Sequence, residues 1–193
     1  MKIPDSIKLF VDEFSRLPGI GPRQAIRLAF YLANRKKTAA DLTLATQTIQ
    51  DVKICPNCFF VHNREEDLCG ICASSARNKS VAAVVEKETD LISIESTGKF
   101  QGVYLCLGDI KKAGRLDDGQ KARLDSLIKR GKFAEIIIAF SPTTAGDISA
   151  EIIAEYLRDA AKKITRLGRG IPIGGEVEFA DPDTLSEALE SRK

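Results

Sequence analysis

Residues 54–73 read Ile54-Cys-Pro-Asn-Cys58-Phe-Phe-Val-His-Asn-Arg-Glu-Glu-Asp-Leu-Cys69-Gly-Ile-Cys72-Ala73. Two Cys-x-x-Cys knuckles stand ten residues apart, a spacing that can close four thiolates around one tetrahedral Zn²⁺. The short spacing lets successive backbone N–H groups bend back toward the sulfurs. Four cysteines leave no open coordination position, so Cys55, Cys58, Cys69 and Cys72 point to one structural zinc per chain rather than a catalytic one. The segment 55–79 has little apolar periodicity, and metal binding is expected to supply its folding energy. Four reduced thiols without metal, or an iron–sulfur cluster, are the other readings of the same residues. The segment also marks a boundary, because the chain has a different texture on each side of it.

On the N-terminal side the pattern is helical. Ile7, Phe10, Val11, Phe14 and Leu17 form one apolar stripe, predicting a helix over 5–17. Leu17-Pro-Gly19-Ile-Gly21-Pro22-Arg23 is a tight turn, and Pro22 suits the first position of a new helix. Ala25, Leu28, Ala29 and Leu32 carry that helix to about Asn34, and Ala39–Val52 reads as a third. Gly19 and Gly21 allow positive φ and close approach of another backbone. The helix start after them exposes free N–H groups suited to phosphate, and Arg23 and Arg27 share one face there. This is the helix-hairpin-helix design, which grips nucleic-acid backbone without reading bases. A plain Gly/Pro turn between two core helices would look similar.

On the C-terminal side, Val81–Glu86, Val103–Leu107 and Glu135–Phe140 are short apolar runs, each read as a strand buried on both faces. Helical stretches at 118–131 and 147–162 lie between and after them, and Ile164–Leu167 is a further candidate strand. Alternating strand and helix predicts a parallel α/β unit. Asp181 is the expected N-cap of a last helix running to about Ser191. The fold class is therefore α/β, or α+β over the whole chain. The domains are expected at 1–54 (helix-hairpin-helix), 55–79 (Cys₄), 80–173 (parallel α/β) and 174–193 (C-terminal segment).

The chain has 193 residues, 44% apolar and 29% charged, ordinary globular usage that excludes collagen-like, disordered and coiled-coil classes. No apolar run approaches the roughly 20 residues of a membrane helix. With no secretory leader at the N-terminus and five cysteines, the expected compartment is the reducing cytoplasm. Net charge is only +2, but residues 1–54 carry nine basic and five acidic side chains. An anionic partner is sought there first. Glu86 ends the first strand, where α/β sites form; a solvated strand-end acid is the commoner alternative. Gly114-Arg-Leu-Asp-Asp-Gly-Gln120-Lys121 fails as a phosphate loop because Gln120 separates glycine from lysine. The single His62 has no catalytic partner set and is expected on the surface, and Cys106 reads as an inert core residue.

These parts, in this order, resemble the bacterial recombination mediators of the RecR family. The residues that carry the resemblance are Leu17-Pro-Gly-Ile-Gly-Pro22, the four cysteines, Val84-Val-Glu-Lys-Glu-Thr-Asp90 and Phe100-Gln-Gly-Val-Tyr104. The longest stretch is Ile164-Thr-Arg-Leu-Gly-Arg-Gly-Ile-Pro-Ile-Gly-Gly-Glu176-Val-Glu-Phe-Ala-Asp181, with Thr184-Leu185 beyond it. The resemblance implies a Toprim domain over about 80–173. It also implies no enzymatic activity and sequence-independent binding of duplex, single-stranded or gapped DNA. Dimers or ring-like tetramers would act with RecO and RecF to load the recombinase during repair. It maps DNA contacts onto Arg23 and Arg27, zinc ligands onto the four cysteines and the first Toprim acid onto Glu86. Two stretches depart from the family pattern: Leu105-Cys-Leu-Gly-Asp109 replaces His-Val-Leu-Gly-Gly, and Pro142-Thr-Thr-Ala-Gly-Asp147 replaces Pro-Thr-Val-Glu-Gly-Glu. One Toprim acid is thus Ala145. The alternatives are a Mg²⁺-dependent Toprim nuclease or primase-like enzyme using Glu86, and a protein adaptor with weak DNA contact.

Overall fold

The computed structural model describes residues 3–110 and 115–192. The Gly114 end of the phosphate-loop lookalike lies outside the described residues. The chain divides into two compact units, Met1–Val52 and Lys53–Lys193.

The first unit is three helices: α1 (Asp5–Phe14), α2 (Pro22–Ala33) and α3 (Lys36–Ile49). The first ends one turn before its expected limit. Ser15, Arg16 and Leu17 close it through short turn bonds, with Leu17 N–H donating to the Phe14 carbonyl at 3.1 Å. Phe10 and Phe14 stack at 3.8 Å between ring centroids. Pro22 takes the first helical position of α2 as expected, and Ala25 and Ala29 are the fully enclosed apolar residues of the unit. α3 starts three residues earlier than the stripe suggested, because Lys36 and Lys37 are good helix formers that need no burial. Its apolar residues Leu42, Leu44 and Ile49 remain exposed, since three short helices supply no further layer to cover them.

The second unit begins with a two-strand antiparallel hairpin, β1 (Lys53–Ile54) and β2 (Val61–His62), and a single helical turn, α4 (Gly70–Ala73). There follow β3 (Val81–Val85), α5 (Glu88–Ser96), β4 (Val103–Cys106), α6 (Asp118–Ile128), β5 (Phe133–Ala139), α7 (Thr144–Tyr156) and β6 (Ala161–Arg166). The four longer strands form one parallel sheet in the order β4-β3-β5-β6. β3 and β4 are apolar runs buried almost throughout, as read. β5 exposes Ala134, and β6 has a polar, open edge. The sequence reading missed α5, because its only enclosed residue is Leu91 and its stripe is correspondingly faint. Its start is fixed instead by Asp90, which accepts from the Lys87 N–H at 3.0 Å.

The sheet's two faces are covered differently. Val84, Leu105, Ile136 and Ile138 pack with Leu124 and Leu127 of α6, Ile153 of α7 and Leu157 just after it. Ala83, Val85, Tyr104 and Cys106 pack on the other face with Leu91 and the four knuckle cysteines. The cysteine segment therefore replaces a helix as cover for half the sheet. After β6 come a 3₁₀ turn (Val177–Phe179) and α8 (Pro182–Glu190). Asp181 caps α8 as expected, accepting from the Thr184 N–H at 2.9 Å.

Candidate nucleic-acid interface and metal centre

The four thiols converge. One sulfur from each of Cys55, Cys58, Cys69 and Cys72 lies within 4.8 Å of the others, and all four residues are buried. The hairpin brings in the first pair. Cys55 N–H donates to the Phe60 carbonyl at 3.0 Å and Phe59 N–H returns to the Cys55 carbonyl at 2.8 Å. Phe59 sits at φ 60 to make this turn. The second pair is set by α4, where Cys72 N–H points at the Cys69 sulfur at 3.4 Å. β4 anchors the arrangement, since Cys106 N–H donates to the Cys58 carbonyl at 2.8 Å.

A tetrahedral ion with metal–sulfur bonds of about 2.3 Å needs sulfurs about 3.8 Å apart. The observed spread, from 3.5 Å between Cys58 and Cys69 up to the 4.8 Å limit, fits that need. The group can hold one metal ion. A hydrogen bond with Cys72 and burial push the Cys58 thiol far up, and burial pushes Cys69 up to about 11. Burial opposes ionisation of Cys55 too, but N–H groups of Cys69, Cys58 and Asn57 bring it down to about 7. Ionisation is thus opposed at Cys58 and Cys69. Cys106 is buried beside them on β4, where burial pushes its thiol up to about 12. It is not one of the converging four. His62 is half-buried rather than on the open surface. Its ring accepts from the Arg64 N–H at 3.3 Å and lies 3.1 Å from the Asp67 carbonyl, ordering the link between knuckles.

In the helical unit the hairpin has the expected turn but not the expected backbone. Gly19 is at φ +79, a left-handed conformation. Gly21, the residue before α2, is at φ −84 and needs no such freedom. At both positions an added Cβ would meet nothing within 4 Å, so the turn presents bare backbone to the outside. Arg23 and Arg27 are exposed on the first turns of α2. Among the described residues neither forms an ion pair, whereas Arg16 pairs with Glu13 at 3.1 Å and Arg35 lies over Tyr31 at 4.1 Å. Gly19→Ala is expected to cost about 1 kcal/mol through its left-handed backbone, while Gly21→Ala stays within about 0.5 kcal/mol. Urea unfolding followed by circular dichroism separates the two, and equal costs would contradict this account of the turn.

The strand ends of the sheet are quiet. Glu86 follows β3, and one of its oxygens accepts from the Ile110 N–H at 3.3 Å. Asp109 faces Lys87 at 3.8 Å, and Leu105 is enclosed in the core. Ala145 is exposed on the first turn of α7. Asp147 on α7 is held by both Arg166 and Arg169, and their hydrogen bonds, Arg166 foremost, keep its carboxyl below the ordinary range. Arg169 also reaches Glu187 of α8 at 3.8 Å. Among the described residues, the cysteines are the only group of three or more potential metal ligands brought together; Glu86 is in none.

Family comparisons match this layout part by part. A model described as the RecR helix-hairpin-helix matches residues 7–50, a Toprim domain model matches 80–168, and a RecR C-terminal model matches 170–193. Recombination protein RecR of Thermus thermophilus is 37% identical over 100% of this chain and 99% of its own length. The chain belongs to the RecR family. The same-named protein of Roseiflexus castenholzii is 37% identical over 99% of this chain and 95% of its own. That of Herpetosiphon aurantiacus is 36% identical over 98% and 95%.

Membership in the RecR family gives the chain a role in recombination and repair, and puts the parallel sheet in the Toprim class. Two polar networks of this RecR-family chain were missed in its sequence. One is Arg77–Glu95–Tyr104, which joins the end of the cysteine segment to α5 and β4; the other is the pair of arginines on Asp147. Neither has a local spacing signal. Arg77 and Glu95 are eighteen residues apart, and only the fold brings them together.

Proposed function

We propose that this RecR-family chain is a non-enzymatic mediator that binds DNA without reading its sequence. In this reading it acts with RecO- and RecF-like partners to load the recombinase on gapped or single-stranded DNA. One observation carries the DNA grip: Arg23 and Arg27, exposed and without an ion pair among the described residues, stand on the first turns of α2, beside bare backbone at Gly19 and Gly21. Phosphate oxygens would accept from free N–H groups at the helix start, and the two guanidinium groups would neutralise them. Such contacts position a protein on DNA without carrying sequence information.

The four cysteines hold one Zn²⁺ in this reading. A closed tetrathiolate supplies folding energy and offers no site for a substrate. It braces the cysteine segment as cover for one sheet face. Self-association into dimers or ring-like tetramers is part of the reading, supported by the uncovered Leu42, Leu44 and Ile49 of α3. Rings would add topological retention to a weak phosphate grip. The Toprim-enzyme reading is disfavoured by the donor set, because Ala145 replaces one acid and Asp147 is engaged by two arginines.

Fluorescence anisotropy on a labelled gapped duplex tests the grip. The logarithm of the affinity should fall linearly with the logarithm of salt concentration. Affinity indifferent to salt would overturn the phosphate grip, and metal-dependent cleavage of the duplex would overturn the non-enzymatic reading.

A further inference from the structure

The parallel sheet of the Lys53–Lys193 unit has two ends of opposite character. Each strand is entered through a loop at its amino end: 77–80 before β3, 97–102 before β4, 129–132 before β5 and 158–160 before β6. Because the strands run parallel, these loops share one end of the sheet. Backbone bonds fasten them to one another. Asn78 N–H donates to the Gln101 carbonyl at 2.8 Å, Ala134 N–H to the Ser80 carbonyl at 2.7 Å and Phe133 N–H to the Ala160 carbonyl at 2.8 Å. The loops, with the first residues of β6 up to Lys163, hold nine basic side chains and one acidic, Asp159. Arg77, Arg158 and Lys163 pair with Glu95, Glu155 and Glu135. Lys79, Lys99, Lys129, Lys132 and Lys162 are exposed and, among the described residues, form no ion pair. At the opposite end, Lys87 is held by Asp109, and Arg166 and Arg169 by Asp147.

We propose that this amino end of the sheet is a second contact surface for nucleic-acid backbone, in addition to α2 and its turn. The proposal rests on the DNA-binding reading above. In the sheet order β4-β3-β5-β6 the lysines follow as Lys99, Lys79, Lys129 with Lys132, and Lys162. Neighbouring strands lie about 4.8 Å apart, so the row spans about 14 Å. Successive phosphates of one DNA strand rise about 3.4 Å, which sets about four of them against the row. The lysines also have a local role, because α5, α6 and α7 end at this face and each helix end carries about half a negative charge. Three such ends offset about 1.5 charges, and five lysines leave a surplus of about 3.5. Ammonium groups on flexible stems suit phosphates whose sequence is not read. Residues 80–163 carry thirteen basic and thirteen acidic side chains, so the asymmetry comes from the fold and not from composition.

Two triple variants of the full chain separate charge from structure. Lys79→Gln/Lys129→Gln/Lys132→Gln removes three charges from exposed positions; Lys79→Arg/Lys129→Arg/Lys132→Arg keeps them. Fluorescence anisotropy on a labelled gapped duplex is followed across a salt series for both, beside wild type and Arg23→Ala/Arg27→Ala. The glutamine variant is expected to show a slope of log affinity against log salt smaller by about two to three, and an affinity at least about 10-fold lower at 0.1 M salt. The arginine variant is expected to keep the wild-type slope, and the urea midpoint of the glutamine variant to stay at the wild-type value. Wild-type affinity and slope in the glutamine variant overturn the proposal. They leave the α2 grip standing if Arg23→Ala/Arg27→Ala still lowers the slope, and they assign the lysines to an acidic protein partner instead. A lowered urea midpoint with an unchanged slope also overturns it and makes the lysines caps of the helix ends. An arginine variant as weak as the glutamine variant overturns the role of charge. A wild-type chain that binds the duplex at no salt concentration overturns the DNA-binding reading and this proposal together.

Discussion

Cys58→Ala is expected to strip the purified chain of its metal and to lower the stability of the Lys53–Lys193 unit more than any other single change. Cys58 is fully buried, its sulfur is 3.5 Å from that of Cys69, and its carbonyl is the acceptor that ties the knuckle to β4. Structural zinc supplies about 10–16 kcal/mol in zinc-finger peptides at neutral pH, and a three-thiolate remnant forfeits most of it. The loss spreads, because the cysteines cover Ala83, Val85 and Tyr104 of the sheet. Metal content by elemental analysis and the urea midpoint check this. Full metal occupancy with an unchanged midpoint in Cys58→Ala would contradict it.

Glu95→Ala is expected to cost about 3 kcal/mol. Glu95 takes both arms of Arg77, the first at 2.8 Å, and accepts from the Tyr104 hydroxyl at 2.7 Å. Arg77 also donates to the carbonyls of Phe100 and Gly102 at 3.1 and 3.4 Å. Removing the carboxylate leaves a largely enclosed guanidinium with only carbonyls, and leaves the tyrosine hydroxyl without its acceptor. Arg77 chiefly, and Tyr104 after it, hold the Glu95 carboxyl below its ordinary value of 4.5 against the opposing effect of burial. The sign follows: a depressed folded pKa gives stability that is complete above 4.5 and is lost as pH falls through the folded value. Glu95→Gln cannot be protonated in this way. Its deficit against wild type should be largest at neutral pH and shrink in acid. A cost for Glu95→Ala below about 1 kcal/mol, or a pH-independent deficit for Glu95→Gln, would show that the network does not carry this load.

Legibility in the sequence followed how local each signal is. The knuckles were plain because metal ligation fixes residue type and spacing together, and Asp181 was plain because a cap acts over three residues. β3 and β4 announced themselves as apolar runs because both their faces are covered. α5 did not, since one enclosed residue in nine makes no stripe. Gly21 shows the limit of composition: glycine permits a positive φ without requiring one, and here the backbone is extended. Arg77–Glu95 and Asp147 with its arginines are properties of the tertiary fold. Their partners are far apart in the chain, and nothing in local sequence links them.

The central claim is that α2 and the turn before it are the DNA grip. The most direct test is the salt dependence of binding to a gapped duplex, compared between wild type and Arg23→Ala/Arg27→Ala at equal zinc content and equal oligomer size. Both arginines are exposed and make no ion pair among the described residues, so the double variant should fold normally. The expected result is a large loss of affinity, with the slope of log affinity against log salt smaller by about two, one for each phosphate no longer neutralised. Unchanged affinity and slope would contradict the claim and place the DNA surface elsewhere on the molecule.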